Sequence, residues 1–377
     1  MDKKAKTAFV NQDVLEPIIK SLVAVPSEGD TGTGIVYPPV SLQSILDLTH
    51  SNAFHTTCIE KKASMTVGLD YEAPTQVERF LEEISGSEPF MELLQRVVYD
   101  WESIGNGYFE VARTFGGKIG EIGHVHGHTI YAVQNGKRLG EWWQETNGAG
   151  REVFAPFGAR DGRNELLQFR QYTPLSSFYG LPTWIAALEA LRLDQQKKIF
   201  YSSFFSNFAM PSVAVVLEGA EFDERAEQTV KDAFADTKGA ENAHKTMILS
   251  VPFENAKVHF EKLMMDLKDM PFDKLSQATR EEILAAHAVP PRIVGIVTAG
   301  SLGGGGETDG QLKIFNETTI KPRMAYVERR IKSLLRDAGL PEEFKLSGIV
   351  PETGEDSAVP SQETQAVLKS LRRDWGW

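Results

Sequence analysis

Three histidines that alternate along the chain are the first residues whose spacing could do chemistry. His124, His126 and His128 stand two apart, and on a strand this alternation places all three side chains on one face. Histidine is the commonest protein ligand for metal ions, so such a face could bind a cation. Neighbouring members would however lie about 7 Å apart, too far for one ion without ligands from elsewhere. We therefore expect ordinary strand or loop histidines and no metal site.

A glycine-rich stretch near residue 300 suggests a second chemistry, the binding of phosphate. A P-loop needs a lysine directly after its last glycine and a strand before its first one. Here Gly306 is followed by Glu307 and Thr308, and the element before the stretch has the pattern of a helix that stops at Pro290. The dinucleotide-binding glycine pattern between a strand and a helix is missing too. A nucleotide- or phosphate-binding enzyme that uses this loop remains an alternative.

The rest of the sequence contains no recognisable catalytic pattern. No serine lies in a G-x-S-x-G turn, and acidic pairs such as Glu281-Glu282 fall on helix surfaces, where solvated charges are ordinary. The single cysteine, Cys58, excludes an intrachain disulfide and a multi-cysteine zinc site. The sequence thus predicts a protein that is not an enzyme and that needs no cofactor.

Composition and charge indicate an acidic globular protein of two or three domains. The 377 residues have a formal net charge of −12, with 41% hydrophobic and 24% charged residues. A broad basic surface for nucleic acid is excluded, because such binding requires Lys and Arg to neutralise phosphates. The acidic charge remains compatible with a surface past which DNA slides, since such a surface should hold phosphates weakly. No apolar run reaches membrane-spanning length and no signal core is visible, so we expect a cytosolic chain or one assembled from the cytosol.

The glycine-rich stretch is positioned by a helix on each side. Residues three or four apart predict one buried face on the first helix, namely Phe272, Leu275, Thr279, Ile283 and His287. This helix should end before Pro290, and a second long helix should run from 311 to about 338 with a kink or restart at Pro322. Two helices that hold a mobile loop between them are suited to contact a partner that moves.

A polar strip lies along the same first helix. Lys274, Gln277 and Glu281 share one face, with Arg280 beside it. Such a strip is ordinary on a helix surface, but it would face the DNA if the helix lined a pore.

The remaining elements predict an α+β protein. We expect helices within 37–64 and 88–103, strands within 108–130, 142–154 and 166–169, a long helix at 181–208, a β-α-β unit at 212–260, a short strand at 344–346 and a terminal helix at 361–373. The helix at 181–208 is apolar at both ends and polar at Arg192–Lys198, which indicates that it bridges two packing environments.

Five short segments, in a fixed order, carry a resemblance to a known family. They are Tyr37-Pro38-Pro39 with Cys58-Ile59-Glu60-Lys61-Lys62-Ala63, then Gly105-Asn106-Gly107-Tyr108-Phe109-Glu110-Val111, then Tyr179-Gly180-Leu181-Pro182, then Phe204-Phe205-Ser206-Asn207-Phe208-Ala209-Met210-Pro211, and finally Val289-Pro290-Pro291 with Phe315. Together they resemble the portal (connector) proteins of tailed bacteriophages, in the branch similar to prophage PBSX, from about Tyr37 to Leu340. One departure is Phe208, where the family pattern has glycine.

The resemblance implies an α+β portal fold with an α/β wing, a two-helix stem, a small β-α-β clip and a short C-terminal crown. The parts would be an N-terminal arm at 1–34, the wing at 35–180, stem helices at 181–208 and 270–289, the clip at 209–269, a tunnel loop at 290–310, a long wing helix at 311–340 and the crown at 341–377.

The same resemblance implies a function. Such proteins form a ring, typically of twelve subunits, at one capsid vertex of the virion, and double-stranded DNA passes through it during packaging and ejection. The implied partners are other copies of the chain, the terminase large subunit, the major capsid protein and neck or adaptor proteins, with no membrane. Assembly would occur in the host cytoplasm, and the ATP-driven work would belong to terminase.

The resemblance also assigns candidate residues to the channel. The tunnel loop would contact DNA through Thr298, Ser301, Gly303, Gly304, Gly305 and Gly306, and the stem could face the channel with Lys274, Gln277, Arg280 and Glu281. Besides the enzyme named above, a different head-to-tail connector ring remains an alternative.

Overall fold

The computed structural model describes residues 34–146, 150–207, 213–218, 257–262, 272–296 and 305–348. The first half contains β1 (Ile35–Val36), α1 (Leu42–Leu48), α2 (Ala53–Val67), β2 (Tyr71–Glu72), α3 (Thr75–Ile84), α4 (Phe90–Ile104), β3 (Asn106–Arg113), β4 (Ile119–Val125), β5 (Ile130–Asn135), β6 (Arg138–Thr146), β7 (Gly150–Pro156) and β8 (Glu165–Arg170). The second half contains α5 (Leu188–Asn207), β9 (Val213–Glu218), β10 (Lys257–Lys262), α6 (Phe272–His287), α7 (Gly305–Phe315), α8 (Lys321–Ala338) and β11 (Lys345–Leu346).

A seven-stranded sheet is the centre of the fold. Its strand order is β1-β5-β6-β7-β8-β3-β4, which makes β4 an edge strand. The neighbouring strands pair antiparallel except β7 and β8, which are parallel. Because successive side chains of a strand point to opposite faces, the adjacent residues Tyr108 and Phe109 of β3 enter two different cores.

The two cores lie on opposite faces of the sheet. The core that contains Phe109 also takes the apolar faces of α3, α4 and α8, including Leu81, Leu94 and Ile331. The core that contains Tyr108 takes α1, Trp142, Phe154 and the start of α5. Helix α4 therefore covers one face of the sheet, and its C-terminal end reaches the strand that follows it.

Two glycines allow α4 to lie close against the strand β3 that follows. Gly105 ends α4 in the left-handed region at φ +79°, and a Cβ built there would stand 2.6 Å from the backbone of Leu181. A Cβ on Gly107 would stand 2.2 Å from the carbonyl oxygen of Val97. Both contacts exclude a larger residue without movement of the backbone, so this junction needs glycine.

The last helical segment changes its winding before the proline. α7 continues into a π-helical turn at Asn316–Ile320, and α8 then begins with Pro322 in its first turn. Proline cannot donate the backbone hydrogen bond of a helix interior, and the wider turn before it accommodates this loss. The kink or restart expected at Pro322 takes the form of a π-helical turn within a continuous helical run.

Most of the expected elements are present where they fall on described residues. The region 37–64 divides into α1 and α2, because Asn52 accepts a hydrogen bond from the backbone N–H of His55 and starts a new helix. The helix expected at 181–208 begins as a 3-10 turn at Thr183–Ala187 and becomes α-helical at Leu188. The short strand near 345 pairs with β2.

Other expectations need correction or lie outside the described residues. β9 and β10 pair directly and antiparallel, while the helix and the middle strand expected between them are outside the described residues, as are the arm at 1–33 and the helix at 361–373. The predicted loop at 290–310 is too long, because Pro291–Val294 forms a 3-10 turn and α7 already begins at Gly305. In the described part of the chain, no helix combines the length and apolarity of a membrane span.

Candidate functional site: a helix pair and its buried junction

Helices α5 and α6 pack against each other through short apolar patches. Ile283 of α6 is buried in the same core as Leu188 and Leu191 of α5. On α6 the buried face contains Thr279, Ile283 and His287, as expected, but Leu275 is 36% exposed. The reason is positional, since Leu275 lies one turn before the buried part of the helix begins.

The polar centre of α5 is organised around one carboxylate. Asp194 accepts a hydrogen bond of 2.7 Å from Asn52 Nδ2 and forms ion pairs with Lys197 at 2.8 Å and Lys198 at 2.7 Å. Burial alone would raise the pKa of Asp194, but the two lysines outweigh it and hold that pKa below its ordinary value. Since Asn52 also caps α2, this group ties α5 to the start of α2.

The outer face of α6 carries charges of both signs. Lys274, Gln277 and Glu281 are exposed, and Gln277 Nε2 donates a hydrogen bond of 2.7 Å to Glu281 Oε1. Arg280 is half-buried, with its guanidinium carbon 6.0 Å from the ring centre of Phe54. The structure thus places the four predicted stem residues on one accessible helix, three of them exposed and one turned toward α2.

Two histidines join the end of α6 to the start of α2. His55 Nδ1 and His287 Nε2 lie 2.8 Å apart, and both residues are at most 1% exposed. The ring of His55 also meets the edge of Trp184, with ring centres 4.3 Å apart. Burial, followed by the charge of Lys62, lowers the pKa of His55 to about 3 and that of His287 further below its ordinary value. Both imidazoles are therefore neutral in the folded chain.

A buried ion triad lies next to this pair. Lys62 Nζ of α2 is 2.7 Å from Glu102 Oε2 of α4, and Arg323 Nε of α8 is 2.6 Å from Glu102 Oε1. The side chains of Lys62 and Glu102 are 0% and 1% exposed. Burial opposes the charge of Glu102, but the two cations overcome it and lower its pKa. The triad fastens the start of α8 to α2 and α4.

The triad and the histidine pair together form what we call the buried junction, defined by His55, Lys62, Glu102, His287 and Arg323. Trp184 belongs beside it, because its indole N–H donates to the carbonyl oxygens of Glu102 at 3.2 Å and Ser103 at 3.1 Å. The 3-10 turn that leads into α5, the end of α6 and the start of α8 therefore meet at one point. His55, Lys62, Glu102 and His287 are buried there and Arg323 is 15% exposed, which indicates a structural role.

The segment after α6 is held in place by a proline stop and by packing of the following 3-10 turn. Pro290 and Pro291 stop the helix, and Ile293 and Val294 of the following 3-10 turn pack on the core beneath. Gly295 then takes the left-handed conformation at φ +81°. Both ends of the glycine-rich connection, at Ile296 and at Gly305, thus continue from elements attached to the body of the protein.

The predicted loop residues fall into two groups. Thr298, Ser301, Gly303 and Gly304 lie outside the described residues. Gly305 and Gly306 are not loop residues as expected, since they begin α7. The backbone hydrogen bonds of the helix fix these two residues, although their glycine content had suggested a flexible loop.

Sequence reasoning missed the buried junction. A signal was present, because Lys62 stands four residues after the buried Cys58 and four before the buried Thr66, which places a lysine in the middle of an inward face. The partners of Lys62 are far away in the sequence, so no local pattern could identify them.

The family model described as "Phage portal protein" matches residues 71–365. A "Probable portal protein" of Haemophilus phage HP1 is 21% identical over 311 residues, which cover 79% of this chain and 83% of that protein. An "Uncharacterized protein" of Rickettsia bellii is 28% identical over 136 residues, or 35% of this chain, and the match spans only 34% of that relative's length.

Among solved structures, a chain from the "Neck of native GTA particle computed with C12 symmetry" has a TM-score of 0.62 at 20% identity, with 96% of this chain and 94% of that chain covered. A chain from the "Virion of native gene transfer agent (GTA) particle" has a TM-score of 0.61 at 19% identity, with coverage of 95% and 94%. At such identities the likeness concerns the fold, while the family model covers most of the sequence. The chain belongs to the phage portal protein family.

Proposed function

We propose that the chain is the subunit of a ring, typically of twelve copies, that forms the portal vertex of a phage or phage-like virion. The family assignment supports a portal, and the similar neck structure computed with C12 symmetry supports a ring of twelve. In this proposal the ring stands at one capsid vertex, and double-stranded DNA passes through it during packaging and ejection.

Helices α5 and α6 would form the stem, and the connection from residue 297 to 304 would be the tunnel loop. Around the strip of α6, Lys274 and Arg280 stand among three carboxylates of the same helix, Asp273, Glu281 and Glu282, so the charges of this surface nearly cancel. A channel wall of this kind holds phosphates weakly, which permits the duplex to slide. The buried junction would anchor the end of α6 and the start of α8, the two helices between which the loop and α7 lie, while the loop itself contacts DNA.

The other regions would meet the partners of the ring. The clip at 209–269 would dock the terminase large subunit and later the neck or adaptor proteins, and the wing, with α8 and the crown at 341–377, would face the capsid. The chain would carry out no catalysis. The family assignment favours this structural role over a nucleotide- or phosphate-binding enzyme.

The observation that supports the proposal most directly is the arrangement of α5, α6 and α8 around one buried junction, within a chain that the portal family model covers. It provides two packed helices and a tethered glycine-rich connection, the parts that a DNA channel requires.

Counting subunits tests the ring. Purified full-length protein, imaged by electron microscopy and averaged without imposed symmetry, should give rings of about twelve subunits around a hole wide enough for a DNA duplex. A monomer at all concentrations, or saturable binding of ATP or phosphate by that monomer, would contradict the proposal.

A loop deletion tests the DNA contact separately from assembly. Deletion of Gly303 and Gly304, which precede α7, should leave rings intact but reduce DNA packaging in vitro by about tenfold or more. The matched control replaces the same two glycines by serines, which keeps the length of the connection and should retain most of the packaging. Normal packaging by the deletion variant would refute the role of the loop.

A further inference from the structure

The histidines at the end of β4 are arranged differently from a flat strand. His124 belongs to β4, but the strand ends at Val125, and His126 precedes the 3-10 turn Gly127–Thr129. This bend brings the rings of His124 and His126 to a centre separation of 5.1 Å. The spacing that argued against a metal site is therefore shorter than a regular strand allows.

A carboxylate from helix α4 completes the group. Asp100 Oδ2 lies 2.9 Å from His124 Nε2, and one ligand atom each from Asp100, His124 and His126 lies within 4.8 Å of the other two. The same carboxylate oxygen accepts a hydrogen bond of 3.1 Å from the backbone N–H of Gly127. Two imidazoles and one carboxylate are a ligand set that zinc and similar divalent ions favour.

The group also has a hydrogen bond that positions its carboxylate and an opening to solvent, both of which a metal site needs. The bond from Gly127 holds the carboxylate of Asp100 in place, which is the usual function of such partners. His126 is exposed and lines an open cavity of about 570 Å³ together with Gln95, Arg96 and Tyr99. An ion can therefore enter from solvent. Tetrahedral Zn²⁺ places its ligands about 3.3 Å apart. The ligand atoms of Asp100 and His124 are now 2.9 Å apart and all three lie within 4.8 Å, so the three side chains would adjust to enclose an ion.

We propose that Asp100, His124 and His126 bind one divalent metal ion, best fitted by Zn²⁺, with water in the fourth position. The ion would join the C-terminal half of α4 to the end of β4, an edge strand of the sheet. This site is independent of the DNA channel, and its presence or absence leaves the portal assignment unaffected.

Two variants of the proposed ligands test whether metal binding depends on this site and not on other histidines. Asp100→Asn retains an oxygen that can accept the bond from Gly127 but removes the charged ligand. His126→Ala truncates an exposed side chain and should not disturb folding. The matched controls are His128→Ala, whose ring centre lies 5.9 Å from that of His126 but which is outside the ligand group, and His50→Ala at the surface.

Metal-free, full-length protein without an affinity tag should be titrated with ZnCl₂ by calorimetry and with CoCl₂ by visible absorption. The wild type should bind one ion per chain, gain the absorption of tetrahedral Co²⁺ and melt a few degrees higher with Zn²⁺. Asp100→Asn and His126→Ala should each weaken binding by at least about tenfold, and both controls should bind as the wild type does. Absent binding in the wild type, binding retained by both ligand variants, or loss in His128→Ala would overturn the proposal.

Discussion

Two histidine pairs of this protein lie in opposite environments. His55 and His287 are buried with nitrogens 2.8 Å apart, and the charge with the largest effect on them is the cation Lys62. His124 and His126 lie near the surface, and His124 is paired with the carboxylate of Asp100. A buried pair without a carboxylate is held neutral and packs as a structural contact. An accessible pair beside a carboxylate has the ligand atoms that our proposed metal site requires. The environment of each pair, and not the residue type, distinguishes the two.

Helix α4 connects the two environments. Its Asp100 joins the accessible pair and its Glu102 joins the buried junction, although the two carboxylates are only two residues apart. Successive residues of a helix point in directions about 100° apart, so one helix serves both places. Changes at these two positions therefore compare a buried with an accessible carboxylate on the same element.

The largest effect is expected from Glu102→Gln. It leaves the fully buried Lys62 without its counter-charge and breaks the pair with the partly exposed Arg323. Loss of one partner of a buried ion pair costs about 3–5 kcal/mol in the free energy of unfolding. Chemical denaturation of the purified chain measures this cost. The control is Glu88→Gln, which breaks the exposed pair with Arg96 and should cost at most about 1 kcal/mol. Equal losses of unfolding free energy in both variants would show that the buried junction stabilises the fold no more than an exposed ion pair does.

An intermediate loss of stability is expected when the pH is lowered from 7 to 5. The pKa of His55 is about 3 in the folded chain and 6.5 when unperturbed, so the unfolded chain binds more protons between these values. Stability should therefore fall as the pH falls below 6.5, by about 2 kcal/mol for His55 between pH 7 and pH 5, and His287 adds to the loss in the same direction.

Denaturation curves recorded across this pH range measure the slope. His55→Gln should lower stability at pH 7 yet flatten its pH dependence, because the group that takes up the proton on unfolding is removed. A wild-type stability that does not change from pH 7 to pH 5 would contradict the assignment of a neutral buried pair.

The smallest effect is expected from His126→Ala without metal. An exposed side chain away from the core should change the free energy of unfolding by at most about 0.5 kcal/mol. Added Zn²⁺ should then stabilise the wild type but not this variant. A large loss of stability in metal-free His126→Ala would mean that the accessible pair is structural too, and the contrast between the two pairs would disappear.

Local patterns in the sequence were sufficient for most helices and strands. The helix at 272–287, the strands β3, β4, β6, β7 and β8 and the irregular turn before Pro322 depend on residues close together in the chain, such as apolar repeats and proline. The extent of the glycine-rich loop was wrong, because Gly305 and Gly306 lie at the start of α7 and local glycine content cannot show that a helix begins there. The predicted DNA contacts and stem surface stay predictions.

The sequence by itself determined the α+β element order and the resemblance to portal proteins, since both depend on the order of short segments along the chain. Only the tertiary structure decided which charges meet. Glu102 pairs with Lys62 and Arg323, and Asp100 pairs with His124, across separations in sequence that no periodic pattern spans. The physical reason is that burial and electrostatic pairing depend on distances in space, which the packing of α4 against α2, α8 and β4 sets.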